Sequence, residues 1–209
     1  MLNRLQNFLL ARFYDRAMQR IERLCLTTWR SSLLKTAAGE TLEIGAGTGV
    51  NLPHYPPNCS LLLSEPEPFM RRQLTQKLTS SAHPARVFDW PAETVPLPDN
   101  SLDTIVSTLV LCSVKDPHVS VREIYRLLRP GGRLLIIEHV LAKDPEVLRW
   151  QQRVAPLWRS CCGNCHLTRD TAGILAATGF QIDKIMEGDL LGVPAIVRRT
   201  VRGTAVKPR

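Results

Sequence analysis

Leu42-Glu43-Ile44-Gly45-Ala46-Gly47-Thr48-Gly49 carries an apolar strand into a tight turn with glycine at every second position, and an acid stands two residues before the first glycine. A dinucleotide turn requires G-x-G-x-x-G, which lets a helix N-terminus approach a pyrophosphate, but the sixth position here is Val50. A P-loop is excluded as well, because no Gly-Lys-Ser/Thr follows and a carboxylate at Glu43 would repel phosphates. Working outward, the apolar run Leu61-Leu62-Leu63 leads to Glu65, twenty residues beyond Gly45. At that separation an acid ending the second strand of a βαβ unit reaches ribose hydroxyls. A glycine turn alone reads as any strand-to-helix connection that needs positive φ. Together with the spaced acid it points to a nucleoside ligand that carries positive charge and no pyrophosphate. S-adenosylmethionine, with its sulfonium, ammonium and nucleoside, has that chemistry.

The composition bounds the rest. A chain of 209 residues, 44% hydrophobic and 22% charged, accommodates one α/β domain with appendages. Its net charge of +8 is concentrated at the ends: residues 1–38 hold seven Lys/Arg against two acids, and residues 198–209 hold five against none. The stretch between them carries 15 basic and 17 acidic residues. Basic termini on a nearly neutral body favour an anionic surface near the ends over a basic groove, so no specific nucleic acid is expected as partner. Arginines interrupt every apolar stretch near the N-terminus and no run is long enough to span a bilayer, which suggests a cytoplasmic protein with reduced thiols, peripheral at a membrane if it meets one. Of the six cysteines, Cys161-Cys162-x-x-Cys165-His166 invites a metal. The run lacks a separated second ligand pair, for which His139, His118 and Cys112 are only loosely eligible, and no metal is expected.

Leu2, Leu5, Leu9, Phe13, Ala17, Ile21 and Leu24 recur at three- and four-residue intervals, flanked by Arg12, Arg16, Arg20 and Arg23. Residues 1–38 therefore read as an amphipathic helix, continuous or broken, that caps the cofactor cleft, lies on an anionic membrane, or does both. Strand signals recur near 40–45, 60–64, 85–88, 103–108, 132–138, 180–187 and 194–202, with helices near 67–80, 117–128 and 169–178. The alternation predicts an α/β fold with a doubly wound, mostly parallel sheet over residues 39–209. The segment joining the last two strands is too short for a helical crossover, so these should form an antiparallel pair at the sheet edge.

These residues resemble the Rossmann-like S-adenosylmethionine methyltransferases, in the branch that includes the ubiquinone and menaquinone methyltransferases. Besides the glycine stretch, the matching words are Ser64-Glu65-Pro66, Ala92-Glu93, Leu97-Pro-Asp-Asn-Ser-Leu-Asp103 and Leu128-Arg-Pro-Gly-Gly-Arg133. A closer similarity, to the methyltransferase-like 7 thiol S-methyltransferases, rests on Thr108-Leu-Val-Leu-Cys-Ser-Val-Lys115, Glu138-His139-Val140, Trp150-Gln-Gln152, Pro156-x-Trp158, Cys165-x-Leu-Thr-Arg169 and Gly203-x-Ala-Val-Lys207. The resemblance implies a seven-stranded sheet whose last strand is antiparallel, with the cofactor across the carboxyl ends of strands one, two and four. It also implies a membrane-associating N-terminal segment. Many relatives place an acid before the Ala-Glu pair to read adenine, whereas this chain has Pro91 there, after Trp90.

The expected cofactor contacts are Glu43, Gly45, Ala46, Gly47, Gly49, Glu65, Pro66, Ala92, Glu93, and a carbonyl near Thr108 or Leu109. Methyl transfer is an in-line displacement on an already activated carbon, leaving S-adenosylhomocysteine, so alignment matters more than a conspicuous catalytic group. His139 is the first candidate for a polar group beside the acceptor, or else makes a structural hydrogen bond. Cys112 and Ser113 follow the fourth strand, where the resemblance implies substrate-facing residues, or Cys112 merely fills the core. In a lid over residues 141–170, Trp150, Trp158, Cys165 and Arg169 would close the acceptor pocket; alternatively Arg169 pairs with Asp170 or caps a helix, and the tryptophans belong to the core. The expected reaction is methylation of a small, apolar thiol. A quinone or lipid-like acceptor, or a cofactor-binding module without catalysis, are the alternatives.

Overall fold

The computed structural model describes residues 4–81 and 83–209. Its sheet has seven strands, β1 (Gly39–Ile44), β2 (Cys59–Ser64), β3 (Ala85–Phe88), β4 (Leu102–Thr108), β5 (Leu128–His139), β6 (Gln181–Asp189) and β7 (Arg199–Val206), in the order β3-β2-β1-β4-β5-β7-β6. The pairings among β1 to β5 are parallel, while β7 runs antiparallel to both β5 and β6. Period-two alternation in β5 gives each face its own core. Leu134 and Ile136 join Leu42, Ile44 and Ile105 under Val121, Ile124 and Leu127 of α4 (Pro117–Leu127) and Leu175 of α6 (Thr171–Thr178). Leu135 joins Leu61, Leu63 and Val106 on the opposite face, under Leu34 of α2 (Thr27–Leu34) and Leu74 of α3 (Pro68–Leu78). Each such fully buried side chain contributes roughly 1.5–3 kcal/mol. The sheet therefore holds the carboxyl ends of β1, β2, β4 and β5 in one row.

Three elements differ from the sequence reading, the first being β5, which starts at Leu128 rather than at residue 132. Residues 141–170 contain a long helix, α5 (Pro145–Cys161), started by the Asp144 carboxylate accepting from the amides of Glu146 and Val147 with Pro145 in the first turn. The same acid-proline device opens α3 at Glu67-Pro68 and α4 at Asp116-Pro117. The last strand begins at Arg199 rather than at residue 194, because Pro194 launches one helical turn, α7 (Ala195–Arg198), before the chain extends. The amphipathic helix runs from Arg4 to Leu34 as α1 (Arg4–Ile21), a π-helical turn (Glu22–Leu26) and α2, while Leu2 lies outside the described residues. It packs against the body through a Phe8–Phe69 edge contact, a Gln73 amide donating to the Ala11 carbonyl, and Asp15, which accepts from Thr48 Oγ1 at 2.5 Å and from Lys77 at 2.6 Å. Among the described residues no helix is long and apolar enough to cross a membrane.

Gly203 sits at φ +149° between Ile136 of β5 and Ile185 of β6, next to the bulge between Ile182 and Lys184. A Cβ there would lie 1.7 Å from the Lys184 carbonyl oxygen, a clash between two paired backbones. Gly203→Ala should therefore cost more than about 2 kcal/mol in urea unfolding or prevent accumulation of folded protein. An unchanged midpoint would refute this account of the β6–β7 pairing.

Candidate functional site

The register Ile44↔Ser64 and Ile44↔Ser107 brings three strand ends level, and the glycine loop leaves β1 above them. Gly45 and Gly47 both take φ +57°. A Cβ at Gly45 would strike Val110 at 2.6 Å, whereas one at Gly47 would meet only the Gly45 carbonyl, at 4.0 Å. The loop is thus tight underneath and open above, a surface against which a ligand can rest on bare backbone. Glu65 stands at the lip, one oxygen accepting from the Gly47 amide at 2.8 Å and the other from the Glu67 amide at 2.9 Å. Burial raises its carboxyl above the usual range, and those two amides oppose the shift. Pro66 beside it is exposed. Open backbone and a nearby carboxylate suit a nucleoside with a cationic tail, so the residues present fit S-adenosylmethionine.

Behind the loop lies a polar cluster that the sequence reading anticipates only at Glu43 and Thr108. Glu43 is 2% exposed and accepts from Asn51 Nδ2 at 2.7 Å and from the Tyr55 hydroxyl at 2.8 Å. Asn51 also donates to Thr108 Oγ1 at 2.9 Å, and Arg30, equally buried, donates to Asn51 Oδ1 at 2.8 Å and Thr108 Oγ1 at 2.9 Å. Glu22 in the π-helical turn binds the other side of that guanidinium at 3.0 Å. The N-terminal helix therefore delivers a cation to the carboxyl ends of β1 and β4. Burial pushes the Glu43 carboxyl from 4.5 to about 7, with the Tyr55 and Asn51 hydrogen bonds and the Arg30 charge opposing. Arg30 is hidden in a basic N-terminal run, and Asn51 and Tyr55 carry no spacing signal of their own.

Beyond Thr108 the chain leaves β4 through Leu109, whose φ of +61° is uncommon for a non-glycine residue. Glu138, fully buried near the end of β5, fixes the path of the residues after it. Its Oε1 accepts from Ser107 Oγ at 2.7 Å and from the amides of Val110 and Leu111 at 3.1 Å, and its Oε2 from the amide of Cys112 at 3.1 Å. The carbonyl side of the same loop is held from the other direction. Arg169 donates to the Leu111 carbonyl and, at 2.5 Å, to that of Val114; Asn164 Nδ2 donates to the Ser113 carbonyl at 2.7 Å; and the His166 amide donates to the Cys112 carbonyl at 2.7 Å. Arg169 thus braces the loop, and neither pairs with Asp170 nor caps a helix.

This bracing brings Cys112, His139 and Cys165 together. The His139 Nδ1 lies 4.0 Å from the Cys112 sulfur and 3.7 Å from that of Cys165. Both thiols are buried and free. Of the Cys161-Cys162-x-x-Cys165-His166 run, only Cys165 joins the group. Trp158 packs against it, whereas Trp150 is half exposed under the Arg153 guanidinium at 5.3 Å. On the far side Trp90 stacks on Phe88 with centroids 3.7 Å apart and its carbonyl accepts from Ser64. Ala92 is buried in the core, and Glu93 accepts from the Lys115 amide at 2.9 Å.

A sheet of this order, with a bare glycine loop and an acid after β2, is the fold that S-adenosylmethionine-dependent methyltransferases share. A family described as "Methyltransferase domain" matches residues 42–136. The chain is 35% identical to human thiol S-methyltransferase TMT1A over 170 residues, covering 79% of this chain and 70% of that protein. It is 40% identical to human thiol S-methyltransferase TMT1B over 134 residues, 62% of this chain and 55% of that one. The chain accordingly spans about half the length of the TMT1B relatives it matches. In fold it is similar to a putative methyltransferase from Bacillus halodurans, with a TM-score of 0.71 at 13% identity over 89% of this chain and 100% of that one. The chain belongs to the family of the thiol S-methyltransferases TMT1A and TMT1B.

The raised Glu43 carboxyl has a stability consequence of definite sign. The folded state keeps its proton up to about pH 7 and the unfolded chain releases it near 4.5, so this group's contribution falls as pH rises between the two values and is level above them. The shift corresponds to about 3 kcal/mol. Urea unfolding from pH 5 to 8 should show wild-type stability declining relative to Glu43→Gln by roughly that amount. Parallel curves for the two proteins would exclude a carboxyl titrating in this window.

Proposed function

We propose that the protein transfers the methyl group of S-adenosylmethionine to small, apolar thiols. The observation that carries this reading is the extent of the likeness to TMT1A. At 170 aligned residues it reaches well past the span 42–136, so it takes in residues on the acceptor side as well as the cofactor half. When bound, the cofactor supplies a methyl carbon already activated by a sulfonium. The protein's part is placement. Glu65 holds the ribose in exchange for the loop amides, the bare backbone from Gly45 to Gly49 admits the methionine chain, and the Thr108–Leu109 carbonyls face its ammonium. Glu43, with Asn51 and Arg30, sets the field behind that end. The loop from Val110 to Ser113, together with His139 and Cys165, forms the wall at which the acceptor sulfur arrives. A thiol with a pKa of about 8.5 is a few per cent thiolate at neutral pH and needs little general-base help.

The outer face of α1 supports a second element of this reading, contact with an anionic membrane surface. Leu5, Leu9 and Phe13 form an exposed stripe at intervals of four, and Leu24 extends it. Arg12, Arg16, Arg20 and Arg23, all exposed, run alongside. One helix then covers the glycine loop with its inner face and meets lipid with its outer one. Apolar thiols partition into the same interface.

Release of S-adenosylhomocysteine in the presence of a panel of apolar thiols should be saturable, and Glu65→Ala should raise the KM for S-adenosylmethionine at least about ten-fold, as expected for a lost charge-assisted hydrogen bond pair. Turnover confined to quinols would sink the thiol assignment and leave the methyltransferase standing; no turnover on any acceptor, with cofactor still bound, would sink both. Co-sedimentation with phosphatidylserine vesicles should weaken with salt, and replacing the four arginines by alanine should remove up to about 4 kcal/mol of binding. Indifference to both salt and the arginines would end the membrane reading.

A further inference from the structure

Cys112, His139 and Cys165 reach one point from three separate elements: the loop after β4, the end of β5 and the turn after α5. Their three ligand atoms all lie within 4.8 Å of one another, and no other group of that kind occurs among the described residues. With Zn–S near 2.3 Å and Zn–N near 2.0 Å, the edges of a tetrahedral zinc site are about 3.6 Å between sulfur and nitrogen and about 3.8 Å between sulfurs. The observed sulfur-to-nitrogen separations of 3.7 and 4.0 Å are those edges almost unchanged. Adjusting the sulfurs requires a movement of at most about 1 Å.

The backbone around the trio is set as a metal site requires. Gly163 and Asn164 both adopt positive φ in the turn that swings Cys165 inward, and Asn164 ties that turn to the Ser113 carbonyl. Glu138 holds the Cys112 amide. The indole N–H of Trp158, buried and without a hydrogen-bond acceptor, packs beside Cys165. Two thiolates neutralise a divalent cation, so the occupied site adds no net charge to a region already holding the Glu138 carboxylate and the Arg169 guanidinium. Three protein ligands of this kind leave a fourth position open, the pattern of a catalytic rather than a structural zinc.

We propose that Cys112, His139 and Cys165 bind a thiophilic divalent cation, zinc first among them, and that its free position takes the acceptor sulfur. The second half rests on the thiol-methyltransferase reading; the first does not. An incoming thiol displaces bound water, gives its proton to solvent and binds as thiolate. A sulfur lone pair then forms the new S–CH3 bond while the methyl–sulfonium bond breaks, its electron pair staying on what becomes S-adenosylhomocysteine. The product, a neutral thioether, is a weak ligand and leaves.

The test uses the full chain, purified with a phosphine reductant and without chelator. Mass spectrometry for metals should find about one equivalent of zinc per chain, and cobalt loaded in its place should show sulfur-to-metal charge transfer with strong tetrahedral visible bands. Cys112→Ser and Cys165→Ser should each lower metal affinity at least about ten-fold, while Cys161→Ser, at an exposed thiol outside the trio, should not. Calorimetric binding of S-adenosylmethionine reports whether a variant is folded; if neither serine variant folds, His139→Gln, which leaves both thiols, must still shift the cobalt bands. A wild-type chain that stays metal-free after exposure to zinc and cobalt overturns the site, as does an unchanged cobalt spectrum in the His139→Gln or serine variants. Adding propanethiol should strengthen the charge-transfer band. A spectrum unmoved by a thiol that the chain methylates overturns the acceptor role alone, and a responsive spectrum without methylation of any thiol upholds the site and refutes the thiol-methyltransferase reading.

Discussion

A single buried carboxylate holds the middle of this protein together. Glu138 occupies no solvent-facing position, yet it accepts four hydrogen bonds from Ser107, Val110, Leu111 and Cys112. Burying a charge is costly unless its lone pairs are filled, and here backbone amides fill them. Those amides belong to the segment where β4 stops being a strand, so their satisfaction defines the segment's path. Replacing the carboxylate with an apolar side chain would orphan three buried N–H groups at once, at about 1–3 kcal/mol each. Arg169 supplies the matching constraint on the carbonyls of the same loop. An anion on the donor side and a cation on the acceptor side clamp five residues that stand between the cofactor cradle and the thiol cluster.

The N-terminal helix imposes the second constraint. Its α-helical ladder gives way to a π turn at Glu22–Leu26, and π turns frequently accompany functional sites. Here the turn aligns Glu22 with Arg30, and the pair projects a guanidinium onto Asn51 and Thr108. Asn51 in turn reaches Glu43. A helix that looks peripheral in chain order thereby sets the charge behind β1 and β4, and its Asp15 also grips Thr48 in the glycine loop. The contacts of Ala11 and Asp15 with the body leave the stripe of Leu5, Leu9 and Phe13 exposed on the other side of the helix.

The core of the fold is legible in the sequence because its signals are local. Period-two apolar runs, glycine at positive φ and acid-proline helix starts each need only a few neighbouring residues to be recognised, and the five parallel strands fall within a residue or two of their expected places except at the start of β5. The start of β7 and the presence of α5 escape a sequence reading for opposite reasons. Val193-Pro194-Ala-Ile-Val197 has strand composition but is turned by its proline, and Asp144-Pro145-Glu146 announces a helix inside a stretch whose acceptor residues draw the eye instead. Within the site, Glu43, Glu65 and the glycines are readable from spacing. Arg30, Asn51, Tyr55 and the clamp by Glu138 are not, since their partners lie 8 to 78 residues away along the chain.

The same dependence on distant partners makes Cys165 easy to notice and hard to interpret. Its immediate neighbours Cys161, Cys162 and His166 suggest a local ligand run, but past the turn at Gly163-Asn164 the Cys165 sulfur groups with Cys112 and His139 instead. Ligands for a shared point are selected by the sheet: β4 and β5 are adjacent and parallel, so residues a few positions past Thr108 and Ile137 emerge side by side, and a third element needs only one turn to close the set. The clamp by Glu138 and Arg169 then has a purpose beyond stability. It fixes the loop that runs from Thr108, tied to Asn51 and Arg30, to Cys112 in the thiol cluster. With Thr108 and Cys112 four residues apart on a braced backbone, the separation of the two clusters is set by the fold rather than by a mobile lid, and under the proposed methyl transfer that rigidity supplies the alignment an in-line displacement demands.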